Sequence, residues 1–92
     1  MQLKRVVVTG LGALTPIGNN VASYWEGLKS GKSGAGPITH FDNTHFKTKF
    51  ACELKGYNAE DFFDRKEARK LDKFAQYAMV AADEAIADAA LP

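Results

Sequence analysis

The 92-residue sequence lacks most of the features that fix a function by composition. It holds a single cysteine, which excludes an internal disulfide framework and suits a reducing compartment. Its formal net charge is only +1, so nothing drives the whole chain toward nucleic acid or an anionic membrane. Any charged partner must meet a local patch. No apolar stretch approaches the roughly 20 residues that span a bilayer. Lys4 and Arg5 ahead of apolar residues mimic a secretory leader. Gly10, Gly12 and Pro16 interrupt that run, and no small-residue cleavage site follows. The length allows at most one small domain with a thin core.

What is present begins with Val6, Val7 and Val8 running into Thr9-Gly10-Leu11-Gly12 and then Thr15-Pro16-Ile17-Gly18. The valines predict a central strand of an α/β layer structure, apolar on both faces. The glycines permit a tight turn or a close approach by another segment. Asn19 and Asn20 are N-cap candidates for a helix whose Val21, Tyr24, Trp25 and Leu28 share one face, with Gly31 as its stop. Lys32 to Pro37 reads as a glycine-rich loop and Ile38 to Lys47 as irregular. Thr48 to Leu54 alternates and predicts a strand. Asp64 and Glu67 fit a capping box opening a helix that is short or bent near Leu71-Asp72. From Asp72 to Ala90 a long helix is expected, its apolar stripe carried by Leu71, Phe74, Ala75, Ala78, Ala82, Ala85, Ile86 and Ala89. Few other elements exist to cover that stripe, so the chain reads as cut from something larger, and as unstable or self-associating by itself.

Several motifs fail on spacing. Gly10-x-Gly12 lacks the third glycine of a dinucleotide fingerprint and is followed by Pro16 where a helix should run. Gly27 to Ser33 is one residue short of a phosphate-binding loop and follows a helix instead of a strand. His40, Asp42, His45 and Cys52 match no zinc spacing, and Cys52 on an alternating strand reads as an inert thiol. Glu60-Asp61 and Asp83-Glu84 read as solvated charge. No cofactor is indicated. The basic cluster is different in kind. Lys66, Arg69, Lys70 and Lys73 can share a helical face, with Arg65 adjacent, and such a stripe in a near-neutral chain can orient an acidic partner. A solvated helix face is the alternative.

Taken together, VVVTGLGALTPIGNN, Trp25 and Leu28, GKSG, PITHFD, KFA and DRKEARKLDKFAQYA resemble the β-ketoacyl-acyl carrier protein synthases, the condensing enzymes of fatty-acid elongation. The TPIG and RKEARKLD segments resemble the type II enzymes more closely than type I. Cys52 departs from the family, which usually has glycine there. The resemblance implies that residues 1–92 are an amino-terminal fragment of a thiolase-like fold, layered α/β/α/β/α with mixed five-stranded sheets and homodimeric when complete. It implies decarboxylative condensation of malonyl and acyl thioesters in the cytoplasm, by a cysteine and two histidines lying beyond Pro92. Cys52, His40 and His45 do not match them, so the chain alone is expected to be inactive. What the resemblance carries over is a docking surface for acyl carrier protein at Lys66, Arg69 and Lys70, with Arg65 beside them. A non-catalytic docking module or a chain-length-factor-like relative would present the same residues.

Overall fold

A computed structural model describes residues 2–92. The element order is α1 (Val21–Ser30), β1 (Ala35–Pro37), β2 (Phe50–Cys52), a 3-10 turn (Ala59–Asp61), α2 (Arg65–Lys70) and α3 (Lys73–Asp88). Each helix starts where its sequence offers a cap. Asn20 Oδ1 accepts from the Ser23 amide at 2.8 Å, and Gly31 closes α1 in the left-handed conformation at φ 70°. Asp64 Oδ1 accepts from the Glu67 amide at 2.8 Å to open α2. That helix ends at Leu71, whose extended backbone (φ −104°, ψ 132°) resets the phase before α3.

β1 and β2 pair antiparallel, with Ala35 opposite Cys52 and Pro37 opposite Phe50. β2 falls inside the expected strand, but β1 lies in the segment read as loop. Ala-Gly-Pro has no β-branched residue to announce it. It is held by the pairing itself and by the Lys55 ammonium, which donates to Gly34 O at 2.6 Å and Glu53 O at 2.8 Å. Residues 38–47 are irregular as expected, yet braced, and the expected strand over 48–54 is shorter, confined to Phe50–Cys52. Asp42 accepts from the Thr44 amide at 3.1 Å, and Lys49 Nζ donates to the Asn43 and Thr44 carbonyls.

The valine strand is corrected. Val6, Val7 and Val8 belong to no ladder and face solvent, Val6 being 90% exposed. A strand is stabilised by a partner, and the described residues supply none for it. The glycines after it act as anticipated. Gly10 and Gly12 lie so close against α3 that a Cβ on Gly12 would overlap the Ala81 carbonyl, and one on Gly10 the Ala85 carbonyl. Thr15 and Gly18 close the next turn by mutual backbone hydrogen bonds of 2.8 and 3.2 Å. The core is correspondingly thin. Val80 is the buried apolar residue at 8% exposure, and the Cα radius of gyration is 16.7 Å. A closed domain of this length would have about 12 Å.

Candidate docking surface

The basic residues sit where the 3-10 turn, α2 and the start of α3 meet. Arg65, Lys66, Arg69 and Lys70 are all exposed on α2. The helix is too short to stand by itself, so its position depends on Gln76, which is 5% exposed on α3. Gln76 Nε2 donates to the Ala68 carbonyl at 2.9 Å and to the Leu71 carbonyl at 3.1 Å, satisfying groups that the end of α2 leaves without helical partners. Its Oε1 accepts from the Tyr57 hydroxyl at 2.8 Å. Tyr57 in turn stacks on Phe62 and meets Tyr77 edge-on. Burial, and secondarily the neighbouring Tyr77, pushes the Tyr57 phenol above its ordinary pKa, so it remains a donor at neutral pH.

The break at Leu71 divides the cluster. Lys73 does not continue a stripe with Lys66 and Lys70, because α2 and α3 are separate helices. Instead Lys73 lines a cleft of about 610 Å³ together with Arg65, Arg69 and Glu60. Arg65 Nε approaches Glu60 Oε1 at 3.3 Å. Lys66 and Lys70 lie outside that cleft.

The other candidates resolve into structural contacts. His40 Nε2 lies 3.7 Å from Glu53 Oε2, and Glu53 also accepts from the Thr39 hydroxyl at 2.9 Å and the Thr39 amide. Desolvation raises the Glu53 pKa, and the hydrogen bonds from Thr39 with His40 outweigh it, leaving the carboxyl below its ordinary value. Cys52 is free and exposed. It lines the same cleft as His40 and Glu53, although no hydrogen bond among the described residues joins it to His40. Gly31, from the near-miss phosphate loop, is a helix cap.

Glu84, read from the sequence as solvated charge, is corrected, because two backbone amides draw it inward. Its carboxylate is half-buried and accepts from the Ala13 amide at 2.9 Å and the Val21 amide at 3.0 Å, pinning the glycine segment and the start of α1 to α3. Asp88 accepts from the Leu11 amide at 3.0 Å in the same way. The only available signal was the i, i+4 spacing of two carboxylates on a helix otherwise rich in alanine.

Among the described residues no helix is long and apolar enough to cross a membrane. Residues 3–92 match the family model described as the β-ketoacyl synthase N-terminal domain. The chain is 50% identical over 91 residues to the 3-oxoacyl-[acyl-carrier-protein] synthase 2 of Synechocystis sp.. It is 52% identical over 90 residues to the protein of that name from Staphylococcus aureus strain COL. Those alignments cover 99% and 98% of this chain but 22% of each relative, so the chain spans about a fifth of their length. Among solved structures, the ishigamide ketosynthase/chain length factor superposes with a TM-score of 0.84 at 37% identity, over 94% of this chain and 21% of that one.

Proposed function

Because this chain belongs to the β-ketoacyl synthase family through its amino-terminal domain, we propose that residues 1–92 form the front part of that domain and supply a docking face for acyl carrier protein. The fold class is the amino-terminal part of a thiolase-like α/β structure. The observation that carries the docking reading is the exposure of Lys66, Arg69 and Lys70 on a short helix held in place by a buried glutamine. The matched relatives are named for a carrier-protein substrate. A cationic face on a rigid mount speeds encounter with an acidic partner and fixes its orientation.

The complete protein then catalyses a decarboxylative condensation in the cytoplasm, as a homodimer. A cysteine thiolate takes the acyl group from its thioester, releasing the carrier thiol. The malonyl thioester loses carbon dioxide. Its α-carbon then forms the new bond to the acyl carbonyl as the enzyme thiolate leaves. None of that machinery is assigned to this chain, and Cys52 has no part in it. A chain-length-factor-like relative would use the same face for the same partner.

The test is a titration of fluorescently labelled acyl carrier protein with this chain. Reversing Lys66, Arg69 or Lys70 to glutamate is expected to weaken binding about fivefold each at low ionic strength, and less as salt screens the pairs. Binding unchanged by all three reversals would reduce the cluster to a solvated helix face.

A further inference from the structure

α2 has six residues. Nucleating a helix costs more than so short a run returns, so contacts at its ends must fix it. Two such contacts run through Tyr57, half-buried just ahead of the 3-10 turn. At the start of α2 the contact is its ring. It stacks on Phe62 with the centroids 5.9 Å apart and the planes 11° from parallel, and Phe62 closely precedes the cap Asp64. At the end of α2 the contact is its hydroxyl, acting through Gln76. An uninterrupted helix would pair the Ala68 and Leu71 carbonyls with amides one turn further on. The chain breaks at Leu71, and the Gln76 side-chain amide donates to both carbonyls instead, at 2.9 and 3.1 Å. Carbonyls only accept, so the amide nitrogen must face them and the amide oxygen must face Tyr57. That oxygen needs a donor, and the Tyr57 hydroxyl supplies it at 2.8 Å.

We infer that uncharged Tyr57 is a positioning residue for α2: its ring fixes the start of the helix, and its hydroxyl selects the orientation of the Gln76 amide that holds the end. The direction in which α2 presents Lys66, Arg69 and Lys70 then depends on a residue outside the helix. The inference rests on the carrier-protein reading above. Tyr57 is itself anchored, since its ring meets Tyr77 of α3 edge-on at 5.1 Å and 89°. Through it the six-residue helix takes its orientation from the sixteen-residue one. A face that is already ordered loses less conformational entropy on association than one that must be ordered first. Loosening α2 therefore weakens binding while every charge stays in place. That sets it apart from the loss of a cation, which lowers the affinity and its salt dependence together.

The experiment is the same titration of labelled acyl carrier protein, run over a series of salt concentrations with Tyr57→Phe, Tyr57→Leu and Gln76→Leu. Tyr57→Phe removes the hydroxyl and keeps the ring, and is expected to weaken binding about twofold; Tyr57→Leu removes both attachments and should weaken it about fivefold. In both, the salt dependence should match that of the unsubstituted chain, whereas Lys66→Glu flattens it. In the Gln76→Leu background, Tyr57→Phe should add nothing, because the hydroxyl acts through that amide. Circular dichroism checks helicity, and Tyr57→Phe carries the test if Tyr57→Leu unfolds. If Lys66→Glu weakens binding while the folded Tyr57 variants bind like the unsubstituted chain, the positioning role is overturned and the docking face stands. A full effect of Tyr57→Phe without Gln76, or weakened binding with a flattened salt dependence, would overturn it too. If the unsubstituted chain does not bind the carrier protein, both readings fall.

Discussion

The two faces of α3 are built in opposite ways. Toward the rest of the chain the helix presents Gln76, Val80 and Glu84, one turn apart, and two of these three are polar. Gln76 holds the end of α2 and Tyr57, while Glu84 holds the amides of Ala13 and Val21. Outward it presents Phe74, Ala78, Ala82 and Ile86, an apolar row at the same spacing, with Phe74 75% exposed and Ile86 45% exposed. In this chain, side-chain hydrogen bonds to backbone amides and carbonyls join the close packing of Gly10 and Gly12 and the Tyr57–Tyr77 contact in attaching the helix. Of the apolar stripe that periodicity selects, Phe74, Ala78, Ala82 and Ile86 are uncovered, while Leu71, Ala75, Ala85 and Ala89 are half-buried. Hydrophobic burial is non-directional and needs area, and 92 residues do not supply it on both faces. A hydrogen bond from a half-buried amide to a carboxylate needs only one well-placed group.

The sharpest way to break the inner face is at Glu84. Replacing it with alanine removes charge-assisted bonds to two amides at once and leaves both without a partner in a part-buried setting. The expected cost is about 3 kcal/mol, read as a lowered urea midpoint. Glu84→Gln keeps one acceptor oxygen and should recover about half of that. Equal destabilisation by the two variants would point to packing and not to the hydrogen bonds. Gln76→Leu should cost less, about 2 kcal/mol, because the leucine keeps the volume while the Ala68 and Leu71 carbonyls and the Tyr57 hydroxyl lose a partner near solvent. Its distinguishing sign is local. Amide exchange in α2 should speed up more than in α1.

The elements with local signals were legible in the sequence. Asn20, Gly31, Asp64 and the break at Leu71-Asp72 sit where capping chemistry places them. The close approach of Gly12 to an alanine of α3 followed from small residues in both segments. What was not legible depends on partners. The β-branched run at Val6–Val8 reads as a strand wherever a sheet exists to receive it, and among the described residues the one sheet, β1 with β2, does not pair with it. β1 is the converse, Ala-Gly-Pro made into a strand by Phe50–Cys52 across from it. The candidate surface was half legible. Lys66, Arg69 and Lys70 are exposed together on α2, whereas Lys73 joins Arg65 and Arg69 around a cleft that no helical wheel contains. The inward face of α3 was half legible: Leu71, Ala75, Ala85 and Ala89 of the expected stripe are half-buried, whereas Phe74, Ala78, Ala82 and Ile86 are exposed. Periodicity ranks side chains by hydropathy, and the two most buried side chains of α3 are a glutamine and a valine, beside half-buried Ala75, Tyr77, Ala81, Glu84 and Ala85.

The outer face should respond in the opposite sense. Phe74→Ser and Ile86→Ser remove apolar groups that are already in water, so each should change the unfolding free energy by less than about 0.5 kcal/mol. Their effect belongs to association. An exposed row of phenylalanine, alanine and isoleucine, with the unpaired valine segment at the other end of the chain, is a surface on which a second copy can bury area. Sedimentation velocity over a concentration series should show self-association of the chain as it stands, and the double variant should move that equilibrium toward monomer. Helicity should be unchanged, because serine on an exposed helical face costs only propensity. A chain that is already monomeric throughout the series would show that the uncovered row is tolerated in water. A double variant that unfolds would show instead that the row is covered from within the chain. Either outcome would erase the contrast between the two faces of α3.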